Sequence, residues 1–279
     1  MGLITWVVEP YASTFMRQAA IAALCVGVVA PVVGVWVVLQ RLAYLGDALS
    51  HATLGGVAAA HLVGWPITLG ALVAGVAMGL GLAGLGMRRT VGNDAAIGVL
   101  ETVFFAGGII LIARSDGVGV ELNHYLLGQL LTVSRAELAV NVLLTIGVVT
   151  VVIALFGDLR MAAFDPTHAA QAGLPVRLLH LTLLGLLSVT VVVCLSTVGL
   201  LLSVALLVTP ATAARLLCRR LVPLTIVAVA IGVASSLGGL TLSYHLATPP
   251  GATIALIAAV VFFGSFLVTL PRRSRLRHG

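Results

Sequence analysis

The run Phe15-Met-Arg-Gln-Ala-Ala-Ile-Ala-Ala-Leu-Cys-Val-Gly-Val-Val-Ala-Pro-Val-Val-Gly-Val-Trp-Val-Val-Leu39 decides the fold, because no charge follows Arg17. A bilayer-spanning helix needs ~20 mostly apolar residues, whereas a membrane strand alternates over ~10. This run is too long and too uniform for a strand. Comparable stretches lie at about 44–63, 66–87, 94–113, 136–157, 178–197, 198–217, 222–246 and 251–270. The expected fold is an all-α integral membrane protein of about nine transmembrane helices. The composition agrees: 60% of the 279 residues are hydrophobic, 9% are charged, and mean hydropathy is +1.18. Soluble domains hold roughly 45–50% apolar and about 25% charged residues. No polar block is long enough for a second domain, so residues 1–279 read as a single polytopic unit.

All 15 basic residues are Arg. Without lysine, the phosphate-binding loop that ends in Gly-Lys-Ser/Thr cannot be built, so any ATP used must be handled by another chain. The arginines sit singly or in short clusters at segment ends, which excludes the basic stripe of a nucleic-acid binder. Cys25, Cys194 and Cys218 lie in or at the end of apolar segments and form neither a disulfide framework nor a paired thiol motif. The first eleven residues lack a positive region, so no cleavable signal peptide is expected.

Arginine placement orients the chain. With the C-terminus cytoplasmic, Arg41, Arg88, Arg89, Arg160, Arg177, Arg215, Arg219, Arg220, Arg272, Arg273, Arg275 and Arg277 lie inside. Arg17, Arg114 and Arg135 alone lie outside. The N-terminus is therefore expected outside. Two connections exceed simple turns. Residues 114–135 form an outer segment whose His124-Tyr125-Leu126-Leu127-Gly128 stretch suits the interface. Residues 158–177 form the one sizeable inner loop, where Asp165 can cap a short helix with Pro166 at its first position. Gly173-Leu174-Pro175 stops that helix. Its expected role is to dock a cytoplasmic partner.

An ionisable side chain within a span costs about 2.5–3.5 kcal/mol on insertion scales, so each marks a candidate site. Asp47 and Glu101 are the two acids that qualify. Asp47 and His51 are four residues apart and share a helical face. At 1.5 Å per residue, they stand ~9 and ~15 Å above Arg41, while Glu101 stands ~12 Å above Asn93. Two carboxylates and an imidazole at matching depth suit a first-row divalent ion. The competing readings are that His51 bonds a backbone carbonyl, or that Asp47 pairs with Arg41. Ser50, Ser235 and Ser236 line the path or simply pack; Gly55, Gly56, Gly75, Gly79, Gly238 and Gly239 are expected to permit close helix approach. His61, His124 and His245 map to the outer side as candidate ligands where metal enters. His168 and His180 fall at the inner surface and His278 on the tail. Pro210 is expected to kink or break the seventh span. No His precedes Glu, no Gly-x-Ser-x-Gly occurs, and no second intramembrane Asp is present, so protease and esterase signatures are absent.

The stretch Arg41-Leu-Ala-Tyr-Leu-Gly-Asp-Ala-Leu-Ser-His51-Ala resembles the signature of the zinc/manganese/iron ABC-transporter permease family. Ala96-Ile97-Gly98, His124-Tyr-Leu-Leu-Gly128, Phe164-Asp-Pro, Ala-Gly-Leu-Pro-Val176, Leu207-Val-Thr-Pro-Ala211 and Gly251-Ala-Thr-Ile254 follow in family order, over roughly residues 14–270. The resemblance implies a non-enzymatic, homodimeric permease of the bacterial inner (plasma) membrane, with a fold similar to the vitamin B12 importer class. Its implied partners are a cytoplasmic ATP-binding subunit and an extracytoplasmic metal-binding protein. Its implied cargo is Zn2+ or Mn2+, with Fe2+ also in range, and no permanent cofactor. The 158–177 loop then looks like the coupling helix, with Asp165, Pro166, His168, Gly173, Leu174 and Pro175 facing the ATPase. Asp47 and His51 match the family's intramembrane metal positions, and Glu101 lies on a pathway-lining helix. An aromatic is expected where His245 stands. The alternative function is a proton-coupled secondary metal carrier, which would need no ATPase.

Overall fold

The computed structural model describes residues 9–86, 92–113, 128 and 130–275, and every regular element among them is helical. A 3₁₀ turn at Glu9–Ala12 leads into α1 (Thr14–Leu39), α2 (Ala43–Val63), α3 (Ile67–Gly86) and α4 (Asn93–Ala113). After the outer segment come α5 (Arg135–Ala154), α6 (Phe156–Phe164), α7 (Pro166–Gln171), α8 (Val176–Leu217), α9 (Leu221–Leu246) and α10 (Pro250–Arg275). Seven of these stretches are long and apolar enough to cross a membrane, with α8 qualifying through Val176–Leu200. The expected spans at 44–63 and 198–217 fall on helices outside those seven. α2 carries Asp47, His51 and His61, and the second arm of α8, Leu202–Leu217, is short.

α8 is two helices joined at Gly199, whose φ of 79° and ψ of 178° break the ladder. Only glycine takes such a conformation without penalty. The chain reverses there. Val198 lies against Gly128 and Gly251, whereas Arg215 and Cys218 share a cavity with Leu39 and with Phe164 of the loop that precedes Val176. Both ends of α8 thus return to one side. Pro210 lies inside an unbroken stretch, so the expected break near Pro210 falls eleven residues earlier.

α1 and the first arm of α8 form the centre, 78% and 67% buried against 17–39% for the other spans. Their helices are apolar all round, as a fully enclosed helix must be. The outer helices instead present stripes such as Leu256, Val260, Phe263 and Leu267 of α10, all exposed. A surface of that kind suits lipid and would aggregate in water. Several buried hydroxyls turn back on their own helices: Ser50 donates to the Gly46 carbonyl at 3.0 Å and Ser188 to that of Leu184 at 2.9 Å. Ser236 packs against Gly27 of α1, so it is a packing residue there.

Glycines set the crossings. A Cβ on Gly56 would overlap the Gly70 carbonyl oxygen, and one on Gly34 would overlap that of Leu207. Gly75 and Gly239 also meet neighbours closely, Gly79 is in ordinary contact with Leu184, and Gly238 faces open space. Residues 158–177 hold more helix than expected, because α6 covers most of the first half. In α7, Asp165 Oδ1 accepts from His168 N at 2.9 Å, Pro166 takes the first position, and Gly173 follows at φ 83°.

Candidate metal site

α2 and α4 run in the same direction and meet at glycines. A Cβ on Gly55 would lie 2.5 Å from the Phe104 carbonyl oxygen, and one on Gly108 would lie 2.6 Å from the Cα of Gly55. Two turns nearer residue 43, that contact sets Asp47 and His51 of α2 opposite Glu101 of α4. His51 Nε2 stands 3.9 Å from Asp47 Oδ1, and one ligand atom from each of the three residues lies within 4.8 Å of the others. Among the described residues, no other group of three His, Cys, Asp or Glu comes this close.

Both single-residue alternatives fail on geometry. His51 Nδ1 is buried and finds no hydrogen-bond partner among the described residues, so it is not held by a backbone carbonyl. Asp47 pairs with His51, and no ion pair with Arg41 forms. Two carboxylates and an imidazole, with no arginine paired to them among the described residues, leave a net negative pocket. A cation from outside the chain would supply the missing charge, and an unpaired carboxylate in a span is otherwise costly.

Two aromatic side chains bracket the three groups. Tyr44 Oη donates to Glu101 Oε2 at 3.0 Å, and the Phe105 ring stands edge-on to His51 with centroids 5.2 Å apart at 76°. Neither was singled out from sequence, although Tyr44, Asp47 and His51 are spaced i, i+3, i+7 and share a face. Toward residue 63, α2, α3 and α4 leave an apolar cavity of about 430 Å³, lined by residues such as Gly56, Ala59, Val73, Phe104 and Gly108. Among the described residues its walls contain no metal-ligating side chain.

The other candidate histidines stand apart. His61 is in the last turn of α2, ten residues and ~15 Å along the axis from His51. His245 is in the last turn of α9, its ring edge-on to Tyr244 at 5.4 Å. His124 lies outside the described residues. Asp165, Pro166, His168, Gly173, Leu174 and Pro175 lie together in and just beyond α7, a separate part of the chain from the triad.

Residues 12–269 match the family model described as "ABC 3 transport family". The chain is 38% identical over 253 residues to the manganese transport system membrane protein MntC of Halalkalibacterium halodurans, covering 91% of this chain and 87% of that one. It is 34% identical over 260 residues to the chelated iron transport system membrane protein YfeD of Yersinia pestis, covering 93% and 87%. The solved structure of PsaBC from Streptococcus pneumoniae in complex with Fab superposes with a TM-score of 0.88 at 29% identity, covering all of both chains.

Proposed function

The chain belongs to the ABC 3 transport family, and on that premise we propose that Asp47, His51 and Glu101 hold the transported ion partway across the membrane. It is the membrane permease of an ABC importer for metal ions, a multi-pass protein of the bacterial inner membrane. The observation that carries the site is the convergence of two intramembrane carboxylates and an imidazole, with no arginine paired to them among the described residues. Imidazole with carboxylates accepts Mn2+, Fe2+ and Zn2+, and the names of its relatives favour manganese or iron as cargo. Zn2+ binds most such sites more tightly than Mn2+, so we expect it to compete in uptake assays.

The chain crosses the membrane nine times in this reading, N-terminus outside and C-terminus inside, with α2 and the second arm of α8 adding to the seven apolar helices. That count puts twelve arginines inside and three outside, as membrane insertion favours. Residues 1–279 act as one permease domain, with a fold similar to the vitamin B12 importer class. Asp47 and His51 are 38% and 28% exposed on the isolated chain. Charged groups do not face lipid, so a second copy of the chain covers this face in a homodimer. An extracytoplasmic binding protein delivers the ion past His61, His124 and His245, and a separate ATPase subunit docks at 158–177 through the face carrying Asp165, Pro166, His168, Gly173, Leu174 and Pro175. The permease itself then catalyses nothing.

Vesicle uptake tests this against the proton-coupled carrier. Uptake should require the ATPase subunit and ATP, and should survive collapse of the proton gradient; dependence on the gradient without ATP would favour the carrier. Gly173→Val should raise ATP hydrolysis per ion transported, because a β-branched residue is strained at φ 83°. Unchanged coupling would count against the docking role. Glu101→Gln keeps shape and removes charge, so metal content of purified, ATPase-bound, nucleotide-free transporter should fall about tenfold or more. Full occupancy would remove Glu101 from the site.

A further inference from the structure

We infer that Tyr44 is a positioning residue of the metal site, its hydroxyl fixing the Glu101 carboxylate for the ion. The inference rests on the reading of Asp47, His51 and Glu101 as ligands. Tyr44 stands one turn before Asp47 on the same face of α2, and its hydroxyl donates across to Glu101 Oε2 on α4 at 3.0 Å. A carboxylate offers about four lone-pair directions, so Oε1 remains for the ion while Oε2 is held. On the isolated chain Tyr44 is 51% exposed, and the hydroxyl's hydrogen bond to Glu101 is what ties it to α4. Glu101 comes from the other helix and has three side-chain torsions. Without an anchor it would turn freely about them and reach the ligands of α2 only part of the time. His51 packs edge-on against Phe105 at 5.2 Å, and Tyr44 supplies the corresponding contact for Glu101. Outer partners of ligating carboxylates matter in this way generally, and their loss weakens metal binding by about 10–100-fold.

The test uses the full permease assembled with its ATPase subunit in lipid nanodiscs, titrated with Mn2+. Tyr44→Phe keeps the ring and removes only the donor; it should weaken binding about tenfold. Glu101→Ala should weaken binding at least as much, and Tyr44→Phe added to Glu101→Ala should change it by less than about twofold, since the two act as one unit. Wild-type affinity in Tyr44→Phe would overturn the proposal, as would a full tenfold loss on the Glu101→Ala background. Should Glu101→Ala bind too weakly to titrate, the structure of Tyr44→Phe decides. A Glu101 carboxylate swung away from Asp47 and His51 supports the role, and an unmoved one refutes it. Asp47→Ala separates this from the underlying reading: wild-type Mn2+ affinity in that variant would mean that the site itself is misplaced.

Discussion

Asp47→Ala and His51→Ala are each expected to cut metal uptake by more than about 100-fold while leaving membrane abundance unchanged. Both residues are direct ligands in this account, and losing either leaves the ion with two protein groups, one on α2 and Glu101 on α4. Neither side chain holds the fold. Asp47 and His51 are partly exposed, and their shared contact is a 3.9 Å pairing rather than a buried network. Alanine also suits a helix interior better than either residue it replaces. Quantitative blotting of membranes beside an uptake assay separates lost transport from lost protein. Wild-type uptake in both variants would place the transport site elsewhere.

The second large effect lies away from any ligand. A Cβ on Gly108 would stand 2.6 Å from the Cα and 3.0 Å from the N of Gly55. Backbone cannot rotate aside as a side chain can, so Gly108→Ala must push α2 from α4. Overpacking of this kind costs about 1–3 kcal/mol. It also opens the spacing between Glu101 and the pair on α2, and a site loosened by ~1 Å loses much of its affinity. Uptake should fall about tenfold or more, with a lowered thermal midpoint in detergent. Gly107→Ala, one residue away with nothing within 4 Å of its Cβ, should leave both near wild type. Equal behaviour of the two variants would remove the α2–α4 contact as the element that sets the site.

The helices were legible because lipid imposes one rule, an apolar run long enough to cross, and nearly every expected span coincides with a helix. Two of the expected spans fall on helices outside that rule. α2 has to carry Asp47 and His51, which lowers its apolarity, and the second arm of α8 needs no loop because Gly199 alone turns the chain. The expected boundary between 197 and 198 lay within two residues of Gly199, yet apolar composition could not distinguish a reversal from a continuous helix. Pro210 attracted the expectation of a break, but its surroundings let the helix run through.

Asp47, His51 and Glu101 were readable from cost, since charge in a span demands a reason. Their convergence depended on α2 and α4 being neighbours, which only the Gly55–Gly108 contact determines. Tyr44 escaped notice because an aromatic residue in a membrane helix carries no such cost signal. Its significance comes from a partner 57 positions away. His61 and His245 share the ligand chemistry of His51 but occupy helix ends, where an imidazole is readily hydrated, so residue type alone could not rank them.

The most direct measurement is anomalous diffraction at the manganese absorption edge from crystals of the permease–ATPase complex loaded with Mn2+. The account predicts one strong peak per permease chain, in contact with Asp47, His51 and Glu101 and absent in Asp47→Ala. A loaded, transport-competent complex whose peak lies elsewhere, or whose peak persists in Asp47→Ala, would contradict it.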